Sequence, residues 1–274
     1  MKTVMRSSLM DRGANRRCGT VSRGGKRVYK TERIYDLELL ARQNLHIHTT
    51  YSPCAKPEMI AREIVNTAVR DHIRIIALTD HYNSKDFRIL DTNLALKEQA
   101  EACGADIQVL YAAELSAYGV GKFLDAPEIN EALDYRLYAY NHYHLDYWEH
   151  PEDKSPRGYV RHALEVLESL FATNRADCIA HPFIGRFIRC FDDKTLVTRE
   201  IIDNELGDIL EKGKRAQVAW ELNVPAIFAD PEFSKRYWRI GQEVGVTFNM
   251  GTDAHQLAAV GTSQHLDRLK RLLQ

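Results

Sequence analysis

Seven short apolar runs in this chain each end in, or run directly into, residue types that bind metal ions. The runs are 43–48, 73–79, 106–114, 135–145, 176–181, 216–222 and 246–250. They lead to His46 and His48, to Asp80 and His81, to Glu114, to His142 and His144, to His181, to Glu221 and Asn223, and to Asp253 and His255. Amphipathic stretches at 58–70, 94–102, 159–171, 198–211, 232–244 and 264–273 separate them. In 58–70, Met59, Ile60, Ile64, Val65 and Ala68 fall on one helical face. Pro57 stands just before that helix, and Gly104, Gly213 and Gly245 fall where helices are expected to end.

Strands that alternate with helices imply a parallel sheet. Seven of them within residues 34–274 predict an α/β fold, a closed or nearly closed (β/α)7 barrel. An open doubly wound sheet is the alternative, but no Gly-x-Gly-x-x-Gly follows the first strand. In a parallel barrel the carboxyl ends of all strands meet on one face, where active sites lie. His46 and His48, two apart on a strand, point the same way. Seven of the eleven histidines sit at predicted strand ends; His72, His150, His162 and His265 do not, and read as surface residues. Taken singly, each strand-end residue is ordinary. Together they point to a multi-metal hydrolytic site, because packing does not explain their placement.

Charge divides the chain. Residues 1–33 hold ten Lys/Arg and two Asp/Glu, a balance of +8, so the rest carries −9 within a net charge of −1. The leader reads as a basic, disordered segment outside the fold, and residues 34–274 as one domain. An acidic body argues against stable duplex DNA binding. No apolar stretch approaches the roughly 20 residues of a membrane span, so no membrane partner is expected. Five scattered cysteines without a Cys-x-x-Cys pair fit a reducing, cytoplasmic compartment. Residues 115–134 and 145–158 read as long loops able to cover a site. Oligomeric state is not legible.

The ordered set His46-x-His48-Thr49, Thr79-Asp80-His81, Glu114, His181-Pro182-Phe183 and Gly251-Thr252-Asp253-Ala254-His255 resembles the polymerase and histidinol phosphatase (PHP) superfamily. The resemblance runs from about Asn44 to Gly261. It implies a distorted (β/α)7 barrel holding two or three divalent metal ions and hydrolysing phosphoesters. It further implies that His46, His48, Glu114 and Asp253 hold one ion. Glu114 would bridge to a second, completed by His144 and His181, and His81 and His255 would hold a third. His142 competes with His144 for the strand-four role and is otherwise a substrate contact. Many family members carry Ser-Asp-Gly after the His-x-His-Thr run; this chain has Ser52-Pro53-Cys54. Pro53 offers no ligand atom. Cys54 is either a thiolate ligand of the third ion or a small apolar residue.

Imidazole-rich sites with bridging carboxylates suit zinc, iron or manganese rather than magnesium or calcium. The expected reaction is attack on the phosphorus of a small phosphomonoester or nucleotide by a hydroxide held between ions. His81 or His255 would serve as acid where the third ion is absent, and Arg186 would grip a phosphate oxygen. Asp80 is expected to orient an imidazole. The competing readings are an amidohydrolase-type enzyme acting on C–N bonds and a module that binds metal or phosphate without turnover.

Overall fold

The computed structural model describes residues 33–183 and 188–274, with the short segments 21–23 and 26–28. Those two segments are strands β1 (Val21–Arg23) and β2 (Lys26–Val28), paired antiparallel. The rest of the expected leader lies outside the described residues.

The seven apolar runs form seven parallel strands. They are β3 (Gln43–Ile47), β4 (Ile75–Leu78), β5 (Gln108–Gly119), β7 (Tyr135–Ala139), β8 (Cys178–Ile179), β9 (Ala219–Asn223) and β10 (Phe248–Gly251). Each pairs with the next in sequence, except that β6 (Lys122–Phe123) stands off the path as an antiparallel partner of β5. The ends meet: Ile47 and Ala254 form a parallel bridge, with the His48 amide donating to Ala254 O at 2.9 Å. Asn44 reinforces the closure. Its buried amide donates to Thr252 Oγ1 at 2.7 Å and to Val260 O at 2.8 Å. The result is the expected barrel, distorted by a register shift between Asn44 and Ile47 and by the two-residue β8.

The helices cover the barrel by the faces their sequences mark. The 61–70 helix buries Ala61, Ile64, Val65 and Ala68 against β3 and β4 residues Ile47, Ile76 and Leu78. Each such side chain contributes about 1.5–3 kcal/mol when an aliphatic of Val or Leu size is fully buried. The 156–171 helix starts at Ser155, whose hydroxyl accepts from the Gly158 amide, with Pro156 in the first turn. The 231–244 helix stops at Gly245, which takes φ 78°.

Four expectations need correction. Gly213 does not end a helix but lies inside the 203–215 helix, where its lack of a side chain makes room for the Trp220 ring: a Cβ there would fall 2.8 Å from it. The 198–211 stretch is two helices, 196–200 and 203–215. Residues 115–134 are not loop: β5 runs on to Gly119, turns at Gly121 (φ 69°) into β6, and a helix follows at 127–132. The fourth strand stops at Ala139 rather than 145, since β8 offers it a partner only at Leu137 and Tyr138. Beyond it the chain turns, with the Leu145 amide donating to His142 O at 3.0 Å.

Candidate metal centre

The carboxyl ends of the strands deliver three groups of ligand-type side chains: His46, His48 and Asp253; Glu114, His142 and His181; and His48, His81 and His255. Within each group the candidate ligand atoms lie within 4.8 Å of one another. His46 on β3 and His48 just past its end turn Nε2 toward Nε2 at 3.1 Å. Asp253 Oδ1 stands 3.1 Å from His48 Nε2 and 3.5 Å from His46 Nε2.

Glu114 joins the groups. Its Oε1 lies 3.0 Å from His181 Nε2 and 3.5 Å from His142 Nε2. Its Oε2 lies 3.7 Å from both His46 and His48 Nε2 and 2.6 Å from His81 Nδ1. That Oε2 is buried and has no hydrogen bond of acceptable geometry. Its one close charge partner is the His81 ring, and a cation between it and the facing imidazoles would satisfy it more fully. The donor set of six imidazoles and two carboxylates fits divalent zinc, iron or manganese.

A second layer holds these rings. Glu221 Oε1 accepts from His46 Nδ1 at 2.8 Å, which leaves Nε2 facing the centre. Asp80 is fully engaged: Thr49 N at 2.8 Å, Thr49 Oγ1 at 2.6 Å and Ser52 Oγ at 2.6 Å all donate to it. Ser52 Oγ then meets His48 Nδ1 at 3.2 Å. Asp80 therefore orients an imidazole through Ser52 instead of facing the centre. His181 (φ 30°) and Asp253 (φ 51°) adopt left-handed backbone, which costs of order 1–3 kcal/mol for a non-glycine residue and clusters at functional sites.

The carboxylates favour positive charge here. Burial opposes protonation of His46, but Glu221 and Asp253 outweigh it and hold its pKa well above the usual range. Burial also opposes charge on His81, yet Glu114 raises it to about 10. His48 goes the other way, lowered to about 3 by burial and by the neighbouring His81 charge. Burial works against ionised Glu114, but His81 and His142 keep its pKa well below the carboxylate range. Burial raises the Cys54 thiol, and the His255 and His81 imidazoles more than reverse this, to about 6.

A cavity of about 350 Å³ opens onto the centre, lined by His81, Glu114, His181, Asp253 and His255 and by Cys54, Pro53, Asn83, His142, His144, Leu145 and Arg189. Cys54 is exposed at its edge and belongs to none of the three groups. Between the strand-four histidines, the turn after Ala139 buries His142 beside Glu114 and leaves His144 exposed at the cavity wall. The two do not share a strand face, because neither lies on a strand. Arg186 lies outside the described residues. The described arginine at the cavity is Arg189, exposed and with a left-handed backbone at φ 55°. Nothing in the sequence separates it from Arg186.

The wall carrying His142 is braced from behind. Trp148 Nε1 donates to Tyr140 O at 3.3 Å, and the Glu149 amide donates to Tyr118 O, beyond the expected end of the third strand, at 2.8 Å. Of the histidines read as surface residues, His150 is exposed and His162 half-buried, and they pair with the Tyr159 and Tyr143 hydroxyls at 2.7 and 2.8 Å.

Solved structures share this architecture. One is the histidinol phosphate phosphatase from Lactococcus lactis subsp. lactis Il1403 complexed with zinc, L-histidinol and phosphate, with a TM-score of 0.58 and 14% identity over 82% of this chain and 92% of that chain. Another is the putative histidinol phosphatase from Listeria monocytogenes, with a TM-score of 0.62 and 13% identity over 80% and 97%. At such identities the likeness establishes the fold: a distorted barrel of the kind the sequence resemblance implies. No family model and no curated protein matches the sequence. No helix among the described residues is long and apolar enough to cross a membrane.

Proposed function

We propose that this protein is a metal-dependent phosphatase acting on a small phosphomonoester. The observation that carries the reading is Glu114, whose two oxygens face different imidazole groups at 2.6–3.7 Å. Such a carboxylate suits a bridge between two cations. His46, His48 and Asp253 would hold the first ion and His142 and His181 the second, with His142 replacing the expected His144. His81 and His255 would hold a third, with Cys54 at its edge.

Divalent ions held there would supply positive charge to phosphate oxygens and acidify a water. The chain's own groups do the rest. Glu221 and Asp80, through Ser52, fix the rings of His46 and His48. Arg189 lines the cavity and would bind a phosphate oxygen by a charge-assisted hydrogen bond. The cavity volume lies near the lower end for small-molecule sites, which favours a compact phosphomonoester. The Lactococcus protein's ligands, L-histidinol and phosphate, make histidinol phosphate the first substrate to try, with nucleoside monophosphates second.

The test is phosphate release from p-nitrophenyl phosphate, histidinol phosphate and a nucleoside monophosphate by protein stripped of metal and reconstituted with zinc, manganese or iron. Release from at least one substrate, lost again on stripping, is expected. No phosphate release together with hydrolysis of amides or lactones would replace this reading with the amidohydrolase one.

A further inference from the structure

Glu221 touches two of the three ligand groups at once. Its Oε1 accepts from His46 Nδ1 at 2.8 Å, and its Oε2 accepts from the His181 backbone amide at 2.5 Å. Asn223 Nδ2 steadies it at 3.2 Å. Glu221 is 2% exposed, and the strand opposite makes room for it: a Cβ on Gly251 would fall 2.2 Å from Oε1 and 2.7 Å from His46 Cβ. His181, whose amide Glu221 grips, holds a backbone φ of 30° that side-chain-bearing residues rarely adopt.

From this we infer that Glu221 is a positioning residue that couples the two halves of the centre, so that the first two ions bind cooperatively. This inference rests on the metal-dependent reading above. The Nδ1 bond to Glu221 leaves His46 Nε2 as the atom that would hold an ion, and an ion held there would in turn favour the tautomer that donates from Nδ1. The same carboxylate then holds the His181 backbone in its left-handed turn, with Nε2 toward Glu114. Ordering is a shared cost, so the ion that arrives first lowers the cost of placing the second.

The experiment titrates metal-free full-length protein with zinc alone, followed by calorimetry and equilibrium dialysis, without substrate. The wild type should take its first two equivalents in one cooperative step. Glu221→Gln should split this into two independent steps, both weakened by roughly 10–100-fold, the usual cost of losing a partner behind a ligand. Glu221→Asp should fall between. Unchanged cooperative uptake by Glu221→Gln, or weakening of one step alone, would overturn the coupling. Independent steps in the wild type would overturn it too and leave the metal-dependent reading standing. A wild type that binds no divalent ion would overturn both. If the variants do not fold, nitrogen-15 imidazole spectra of the zinc-loaded wild type decide: His46 protonated on Nδ1 supports the role, and protonated on Nε2 overturns it.

Discussion

Ile47 and Ala254 bridge the first and last barrel strands, and each is flanked by candidate ligands on both sides. His46 and His48 surround one; Asp253 and His255 surround the other. On the extended first strand successive side chains alternate in direction, so Ile47 turns into packing while His46 and His48 turn toward the centre; on the other side the left-handed turn at Asp253 (φ 51°) brings its carboxylate to the same centre while Ala254 stays buried. The same pairing that closes the barrel therefore sets the distance between His48 and Asp253, 3.1 Å. Stability and site geometry share one contact.

That sharing is testable at Ala254, which is fully buried beside Ile47, Met59 and Val260. Ala254→Leu adds volume where none is free, and overpacking of this kind costs about 1–3 kcal/mol. The thermal midpoint should fall, and zinc affinity should fall with it. A variant that loses stability but binds zinc normally would show that closure and site are independent.

Asp253→Asn keeps size but removes a negative charge that faces His46 and His48. Bound metal, measured by elemental analysis after dialysis, should drop by one equivalent, and kcat/KM on p-nitrophenyl phosphate should drop on the order of 100-fold or more, since a direct ligand outweighs the partners behind ligands. Full metal content with unchanged turnover would remove Asp253 from the centre.

Metal removal should also cost stability. The centre crowds imidazoles: His48 and His81 ring centroids are 4.2 Å apart, and His48 and His255 are 4.3 Å apart. An ion that binds only the folded chain adds about 2.7 kcal/mol at a concentration 100 times its dissociation constant. For a chain this long that is a rise of roughly 5–10 °C in thermal midpoint. Scanning calorimetry of stripped and zinc-loaded protein reads it directly, and equal midpoints would mean that no ion binds the native state.

Much of the fold was legible because strands and helices carry different apolar periods, and the runs 43–48 and 73–79 match β3 and β4 to within two residues. What stayed hidden depends on partners distant in sequence. The end of β7 is set by the shortness of β8, and nothing in Tyr140–Leu145 announces the turn. That turn decides between His142 and His144 beside Glu114, which a strand-face argument could not do. The hairpin at 115–123 gave one local sign, Gly121. The 224–229 helix carries a clearer one: Asn223, whose side chain accepts from the Ala226 amide, followed by Pro225. Arg189 had no sign at all, because only the fold brings it to the cavity.

Gly213 gives a prediction whose sign separates local preference from packing. In the interior of the 203–215 helix, Gly→Ala should stabilise by about 0.8–1 kcal/mol on helix propensity alone. The added methyl would meet Trp220 ring atoms at 2.8–2.9 Å, and that indole is fully buried. Overpacking costs of about 1–3 kcal/mol outweigh the propensity gain, so Gly213→Ala should lower the urea midpoint. A raised midpoint would mean that the indole moves aside freely.

Arg189 tests the substrate side of the centre. It is exposed and lines the cavity. Arg189→Met should therefore leave the thermal midpoint within about 0.5 kcal/mol of stability, as surface changes do. A charge-assisted hydrogen bond to phosphate contributes about 1.5–3 kcal/mol, so its loss should lower kcat/KM by roughly 10–150-fold. Inhibition by inorganic phosphate should weaken in step, because the product carries the same oxygens. Zinc content should not change, since Arg189 belongs to none of the ligand groups. If phosphate inhibition and kcat/KM both stay at wild-type values, Arg189 is a solvated loop charge and the phosphate is held by other groups.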